Sequence, residues 1–249
     1  MEEGIIQVAA VSYINTKPLL FGFRDHPILN KMKLLEDFPS KIAQMLIDQK
    51  IDLGLVPVAI LPQLNTYHII GDYCIGAEGP VASVCLFSDV PIHQIRQVYL
   101  DYQSRTSVAL LKILLHDFWK VDPVLIPTQG DYEQLIRGND AGLVIGDRAL
   151  RQRRLSPYIY DLAEAWTEFT GLPFVFAAWI SNHPLSPDFI KQFNDACRIG
   201  LENIGLVIEE NPFTGFDLHQ YFTRHISYAL TMNKRKGLEK FLGMLPSNF

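Results

Sequence analysis

The chain has 249 residues, of which 48% are apolar and 20% charged, a balance that supports a sizeable buried core and excludes the disordered and membrane-spanning classes. A formal charge of −5 leaves no basic footprint for DNA or RNA. Cys74, Cys85 and Cys197 are odd in number, lack CxxC spacing and sit in apolar runs, so they read as buried thiols of a reducing compartment rather than a disulfide framework.

Met1-Glu2-Glu3-Gly4 carries no basic n-region and no lipidated cysteine, and leads directly into strand-like Ile5–Val11. Export is therefore not expected, and a cytoplasmic location is. After Val11 come the polar turn Ser12-Tyr13-Ile14-Asn15-Thr16-Lys17-Pro18 and the apolar run Leu19–Phe23, then a second strand at Met32–Leu35. Ser40 is the expected N-cap of a helix over Lys41–Gln49, and Asp52–Pro57 follows as a third strand. Short strands are expected at Tyr67–Ile70 and Ala82–Phe87, with turns at Gly71, Gly76, Gly79 and Pro80.

A second series opens with a strand at Gln97–Asp101 and a long helix from about Ser104 to Trp119. Val124–Ile126, a short helix around Tyr132–Arg137 and a strand at Ala141–Gly146 continue it. The basic run Arg148–Arg154 reads as the solvated face of a short helix. Beyond Gly171-Leu172-Pro173 lies a buried strand, Phe174–Trp179, and helical segments are expected to fill the rest of the chain. The alternation predicts an α/β fold with mainly parallel sheet. Its order predicts a discontinuous first lobe of residues 1–88 and 180–249, an inserted second lobe of residues 89–179, and hinge strands near 83–88 and 174–179.

GxSxG, HExxH, P-loop and GxGxxG signatures are missing. The seven histidines never fall at i,i+4 or in a Cys/His group of zinc spacing, so neither a metal nor a cofactor is expected. In open α/β sheets a ligand sits beyond the carboxyl ends of the strands, and four segments bring polar groups there. Ser12 and Asn15 follow the first strand, although an Asx-turn or a cap accounts for the same spacing. Ser104-Arg105-Thr106-Ser107 opens a helix, whose free N–H groups, positive dipole end and hydroxyls suit an anion. One hydroxyl would suffice for capping alone, and Arg105 either pairs with the ion or points outward. Ser83, after Gly79-Pro80, either faces a cleft or is a core hydroxyl bonded to backbone. Gly146-Asp147 closes another strand, where Asp147 is equally a helix N-cap. Trp166, Phe174 and Trp179 are either core or the apolar wall for a ring-shaped ligand.

Taken in order, these segments resemble the chorismate dehydratase family of the futalosine route to menaquinone. The resemblance runs from Ser12-Tyr13-Ile14-Asn15-Thr16-Lys17-Pro18 through Pro39-Ser40, Asp52–Pro57, Gly79–Val84, Leu100-Asp101 and Ser104–Ser107. It continues with Ile145–Leu150, Asp161-Leu162, Thr170–Ala177, Tyr228, Gly237-Leu238 and Phe241. It implies the two-lobed type II periplasmic-binding-protein fold, with mixed sheets flanked by helices and a ligand cleft between lobes. It also implies a hydro-lyase acting on chorismate as a small dicarboxylate, without cofactor, nucleic acid or membrane. Asn15 is then the catalytic residue, and Ser12, Ser83, Ser104, Arg105, Thr106, Ser107, Gly146 and Asp147 bind substrate. Two other classes remain: a solute-binding protein of the same fold, and the sister enzyme that forms 1,4-dihydroxy-6-naphthoate. The sister pattern has Ser-Pro-Cys-Pro-Asn in the first loop and a catalytic His in the second lobe. Here that loop is Ser12-Tyr13-Ile14-Asn15, and His93 and His116 lie outside the motifs.

Overall fold

The computed structural model describes residues 4–246, so the reading of Met1-Glu2-Glu3 lies outside the described residues. In chain order the elements are β1 (Ile6–Val11), α1 (Lys17–Phe21), β2 (Met32–Asp37), α2 (Pro39–Ile47), β3 (Leu53–Pro57), β4 (His68–Ala77) and β5 (Val84–Ser88). Then come β6 (Gln97–Leu100), α3 (Arg105–Ile113), β7 (Val124–Pro127), β8 (Asp140–Ile145), α4 (Gly146–Gln152), β9 (Tyr158–Asp161) and α5 (Leu162–Thr170). Last are β10 (Phe174–Ser181), α6 (Pro187–Glu202), α7 (Ile204–Glu210), α8 (Leu218–Gln220), β11 (Ser227–Ala229) and α9 (Met232–Gly243).

Two sheets form: a six-stranded one ordered β11-β4-β10-β3-β1-β2 and a five-stranded one ordered β7-β6-β8-β5-β9. Both are mixed rather than mainly parallel. β1 runs parallel to β2 and β3, whereas β10 is antiparallel to β3 and β4. In the second sheet β6 is parallel to β7 and β8, while β5 runs against β8 and β9. The chain changes sheet twice, from β4 to β5 and from β9 to β10, and all four of these strands make antiparallel pairs. The strands expected at the hinge are β5 and β10, and each belongs wholly to one sheet.

Several local expectations shift. α2 starts at Pro39 with Phe38 at the N-cap, and Ser40 lies inside it; Pro at the first helical position needs no N–H partner. β4 passes through both Gly71 and Gly76 instead of turning there. A Cβ at Gly76 would stand 2.7 Å from the Phe174 carbonyl oxygen, so that glycine permits close approach of β10. The helix expected to reach Trp119 is α-helical only to Ile113 and ends in a π turn at Leu114–Phe118. The expected helix near Tyr132 is one 3-10 turn, Glu133–Leu135. β9 and β11 were not foreseen, and β11 interrupts the helical tail.

The loop after β1 is held from behind by a tight helix pair. A Cβ at Gly200 of α6 would fall 1.9 Å from the Pro18 carbonyl oxygen, and one at Gly22 would fall 2.0 Å from that of Ala196. α1 and α6 therefore meet backbone to backbone, as only glycine allows, and the Ser12–Thr16 loop is fixed at its downstream end. The free cysteines are all buried, and burial alone pushes the Cys197 thiol up.

Candidate functional site

The carboxyl ends of β1 and β3 in one sheet face those of β6 and β8 in the other. Between them is a cavity with about 550 Å3 of space, part of it open to solvent. Its floor is apolar, from Val11, Pro57, Ile75, Val84, Ile145 and Phe176, and its polar atoms come from Tyr13, Asn15, Thr16, Ser83, Ser104 and Ser107. Among the described residues that line it, none is a carboxylate, a histidine, a lysine or an arginine.

Of the residues singled out in the sequence, Asn15, Ser83, Ser104, Ser107 and Gly146 line this cavity. Ser12, Arg105, Thr106 and Asp147 do not, and each has another engagement. Ser12 prolongs the β1–β2 ladder, its N–H donating to the Asp37 carbonyl (3.2 Å), and the residue is exposed. Arg105 Nη1 donates to Gln63 Oε1 (3.1 Å). The buried Thr106 hydroxyl accepts the Ala59 N–H (3.1 Å) and so ties α3 to the turn after β3. Asp147 Oδ1 accepts the Ile14 N–H (3.2 Å) across the cleft, instead of capping its own helix, where Ile145 is the N-cap. Burial pushes the Asp147 carboxyl up, against that N–H and the charges of Arg151 and Lys17.

Asn15 sits in a 3-10 turn, Ile14–Thr16. Its carbonyl accepts from the Tyr228 hydroxyl (2.9 Å), and its Oδ1 from Thr16 Oγ1 (3.3 Å), which leaves the amide NH2 as the group free to meet a ligand. Ser104 caps α3: its Oγ accepts the Ser107 N–H (3.1 Å) and donates to Ser107 Oγ (2.8 Å). The Arg105 and Thr106 N–H groups of the first turn are left directed along the axis, with the positive end of the dipole behind them. Ser83 Oγ is buried and meets no hydrogen-bond partner. Gly146 takes φ +62, a bend that glycine allows, and the Tyr13 ring lies in ordinary contact range, 3.5 Å from where a Cβ would stand.

Trp166, Phe174 and Trp179 are fully buried and pack edge-on against Phe241 or Phe193, so they are core; the aromatic wall is Phe176. Arg148 is not simply solvated: it pairs with Asp101 (2.6 Å) and Glu133 (2.9 Å). Asp101 also accepts the Tyr132 hydroxyl (2.9 Å), and Arg148 donates to Gln103 (3.3 Å), which in turn accepts the Tyr13 hydroxyl. Burial and then Asp101 push the Tyr13 phenol up, so it remains a donor. This chain of contacts closes the cavity mouth over the Asn15 loop, and only the proximity of Leu100-Asp101 to a strand end hinted at it in the sequence. Neither His93 nor His116 lines the cavity, and His116 instead lies on Asp117 at the surface.

Two mixed sheets with a charge-free cleft between their strand ends define the periplasmic-binding-protein class of fold. The periplasmic aliphatic sulphonate binding protein of Escherichia coli overlays with a TM-score of 0.62 at 14% identity, covering 98% of this chain and 88% of its own. A protein from Archaeoglobus fulgidus overlays with a TM-score of 0.75 at 15% identity, over 98% of this chain and 97% of its own. More narrowly, the chain belongs to the Menaquinone biosynthesis family, whose model matches residues 6–247. A chorismate dehydratase of Thermus thermophilus is 29% identical over 252 aligned residues, 92% of this chain and 91% of its own. One from Campylobacter jejuni is 28% identical over 240, covering 93% and 94% respectively. Among the described residues no helix is long and apolar enough to cross a membrane, and no group of His, Cys, Asp and Glu is arranged to hold a metal ion.

Proposed function

We propose that this protein is a chorismate dehydratase, a hydro-lyase that removes water from chorismate to give 3-[(1-carboxyvinyl)oxy]benzoate in the futalosine route to menaquinone. The observation that carries the reading is the cavity itself, apolar across its floor, with Ser83, Ser104 and Ser107 contributed by the elements of one sheet and Asn15 by those of the other. Two relatives of that name, aligned over nine-tenths of the chain, support it.

The chemistry follows from the substrate. The hydrogen on the ether-bearing ring carbon is vinylogously acidified by the ring carboxylate, and the adjacent hydroxyl is the leaving group. As the C–H bond breaks, its electron pair enters the ring and spreads into the carboxylate; the C–O bond then breaks, hydroxide departs with that bond's electrons, and the ring becomes aromatic. Donors aimed at the ring carboxylate stabilise the charge as it develops, and the α3 start with Ser83 supplies them. With no carboxylate, histidine or lysine among the described lining residues, the enolpyruvyl carboxylate of the substrate takes the proton. Asn15 orients that carboxylate and donates to the departing hydroxyl, and the proton and hydroxide leave together as water. The two sheets act as lobes, one carrying β1–β4, β10 and β11 and the other β5–β9, that close on the substrate in the cytoplasm.

Purified protein mixed with chorismate tests this by product mass. Loss of one water supports the reading; chorismate bound tightly but recovered unchanged marks a solute-binding protein instead. Asn15→Ala and Asn15→Asp are the accompanying variants, and near-normal turnover in both removes Asn15 from the mechanism.

A further inference from the structure

Behind the Ser83 wall of the cavity the C-terminal segment places a residue that belongs to none of the motifs. Tyr221 opens a π turn, Tyr221–His225, the kind of helical irregularity that recurs at functional sites. Its ring is clamped by Phe216 (centroids 5.9 Å apart, edge-on) and Phe222 (5.6 Å), and the residue is fully buried. The hydroxyl meets no partner in hydrogen-bond geometry, and Ser83 Oγ is equally unpartnered. The two are neighbours: Ser83 and Asn15 are the side chains within reach of the Tyr221 hydroxyl and able to bond it. Burial pushes the phenol up, and Asp147 adds to this, so the group stays protonated and must donate.

Two adjacent buried hydroxyls without partners are an unfavourable arrangement, since each has lost its water without a replacement. Of the two acceptors, Asn15 Oδ1 already takes the Thr16 hydroxyl, whereas Ser83 Oγ is free. Ser83 also lines the cavity, so its own O–H is the one that can reach a ligand. We propose that Tyr221 is a positioning residue: its O–H donates to Ser83 Oγ and so aims the Ser83 O–H at an anionic oxygen of the ligand in the cavity. One ligand oxygen completes the chain and satisfies both hydroxyls, and each bond polarises the next. The proposal deepens the dehydratase reading and rests on it for the identity of that oxygen, a carboxylate oxygen of chorismate.

The test is a cycle of Tyr221→Phe, Ser83→Ala and the double variant in the full-length protein. It reads kcat and KM for chorismate, the urea midpoint, and calorimetric affinity for isophthalate, a flat aromatic dicarboxylate used as a probe that cannot react. Tyr221→Phe keeps the ring, so kcat is expected to fall about tenfold or more with KM changed less than about threefold and the urea midpoint level or higher. In the Ser83→Ala background it is expected to have less than about a twofold further effect. Wild-type kcat in Tyr221→Phe, losses that multiply in the double variant, or a midpoint that falls in step with activity each overturn the relay. If the wild type leaves chorismate untouched, the dehydratase reading fails by itself and isophthalate decides the relay. Affinity about tenfold weaker in both single variants and no weaker in the double then supports it. Unchanged affinity in Tyr221→Phe, or no binding to the wild type, overturns it.

Discussion

Asp161 and Ser83 are buried within a few ångströms of the same turn between the sheets, and they differ in one respect. The Asp161 carboxylate accepts backbone N–H groups from Val81 (3.0 Å), Ala82 (2.7 Å), Ala163 (3.1 Å) and Glu164 (3.3 Å), pinning the turn to the start of α5. The Ser83 hydroxyl accepts and donates nothing. A buried polar group saturated by backbone builds the frame; one left unpartnered at a cavity wall is held in reserve for a ligand. That difference predicts which substitutions damage folding and which damage function alone.

The largest separation belongs to Asn15. Asn15→Ala is expected to lower turnover by about 10²–10³, equivalent to about 3–4 kcal/mol of transition-state stabilisation, with the urea midpoint nearly unchanged. Asp161→Asn should do the reverse. An amide has one acceptor oxygen and presents donors to N–H groups, so about 2–3 kcal/mol of stability is lost in urea denaturation while turnover per folded molecule is retained.

Asp147 falls between the two, since it bonds backbone yet spans the cleft. Its folded pKa is raised above the ordinary 3.8, mainly by burial, so the folded state holds the proton more readily than the unfolded chain. Its contribution to stability is therefore fully present below 3.8 and is lost as pH rises through the folded value. Asp147→Asn does not titrate, and it should gain on the wild type over that rise and then run parallel, as read from denaturation curves at stepped pH. Ser83→Ala is expected to have the smallest effect on folding, within about 1 kcal/mol, because it removes one unpaired hydroxyl but also takes the acceptor from Tyr221.

The parts of the fold legible in the sequence were those where local pattern and burial agree. β1, β3, β8 and β10 are apolar runs buried nearly throughout, and they stand out at that length. β9 and β11, of four and three residues, are too short for any period to emerge. Gly71 and Gly76 looked like turns because glycine says only that a Cβ is excluded; what excludes it at Gly76 is the β10 backbone, a tertiary fact. For the site, Asn15, Ser83, Ser104, Ser107 and Gly146 were legible as polar or small residues at strand ends. Tyr221 was not, since it arrives from far along the chain in a segment whose pattern is that of ordinary helix. Thr106 and Asp147 carried the right chemistry for a ligand, and the fold spends it on holding the two sheets together.

The loop that bears Asn15 is also where one sheet is tied to the other. Tyr13 reaches Gln103 and the Ile14 N–H reaches Asp147, both across the cleft, from the two residues just before Asn15. Parting the sheets to admit a ligand therefore breaks both bonds, while Asn15 stays with its own sheet through the α1–α6 contact. Two such bonds hold the gate by about 1–3 kcal/mol, an open fraction on the order of one in ten to one in a hundred. Turnover on such a gate has a ceiling set by how often the sheets part, and solvent viscosity would tune the rate even with the chemistry unchanged.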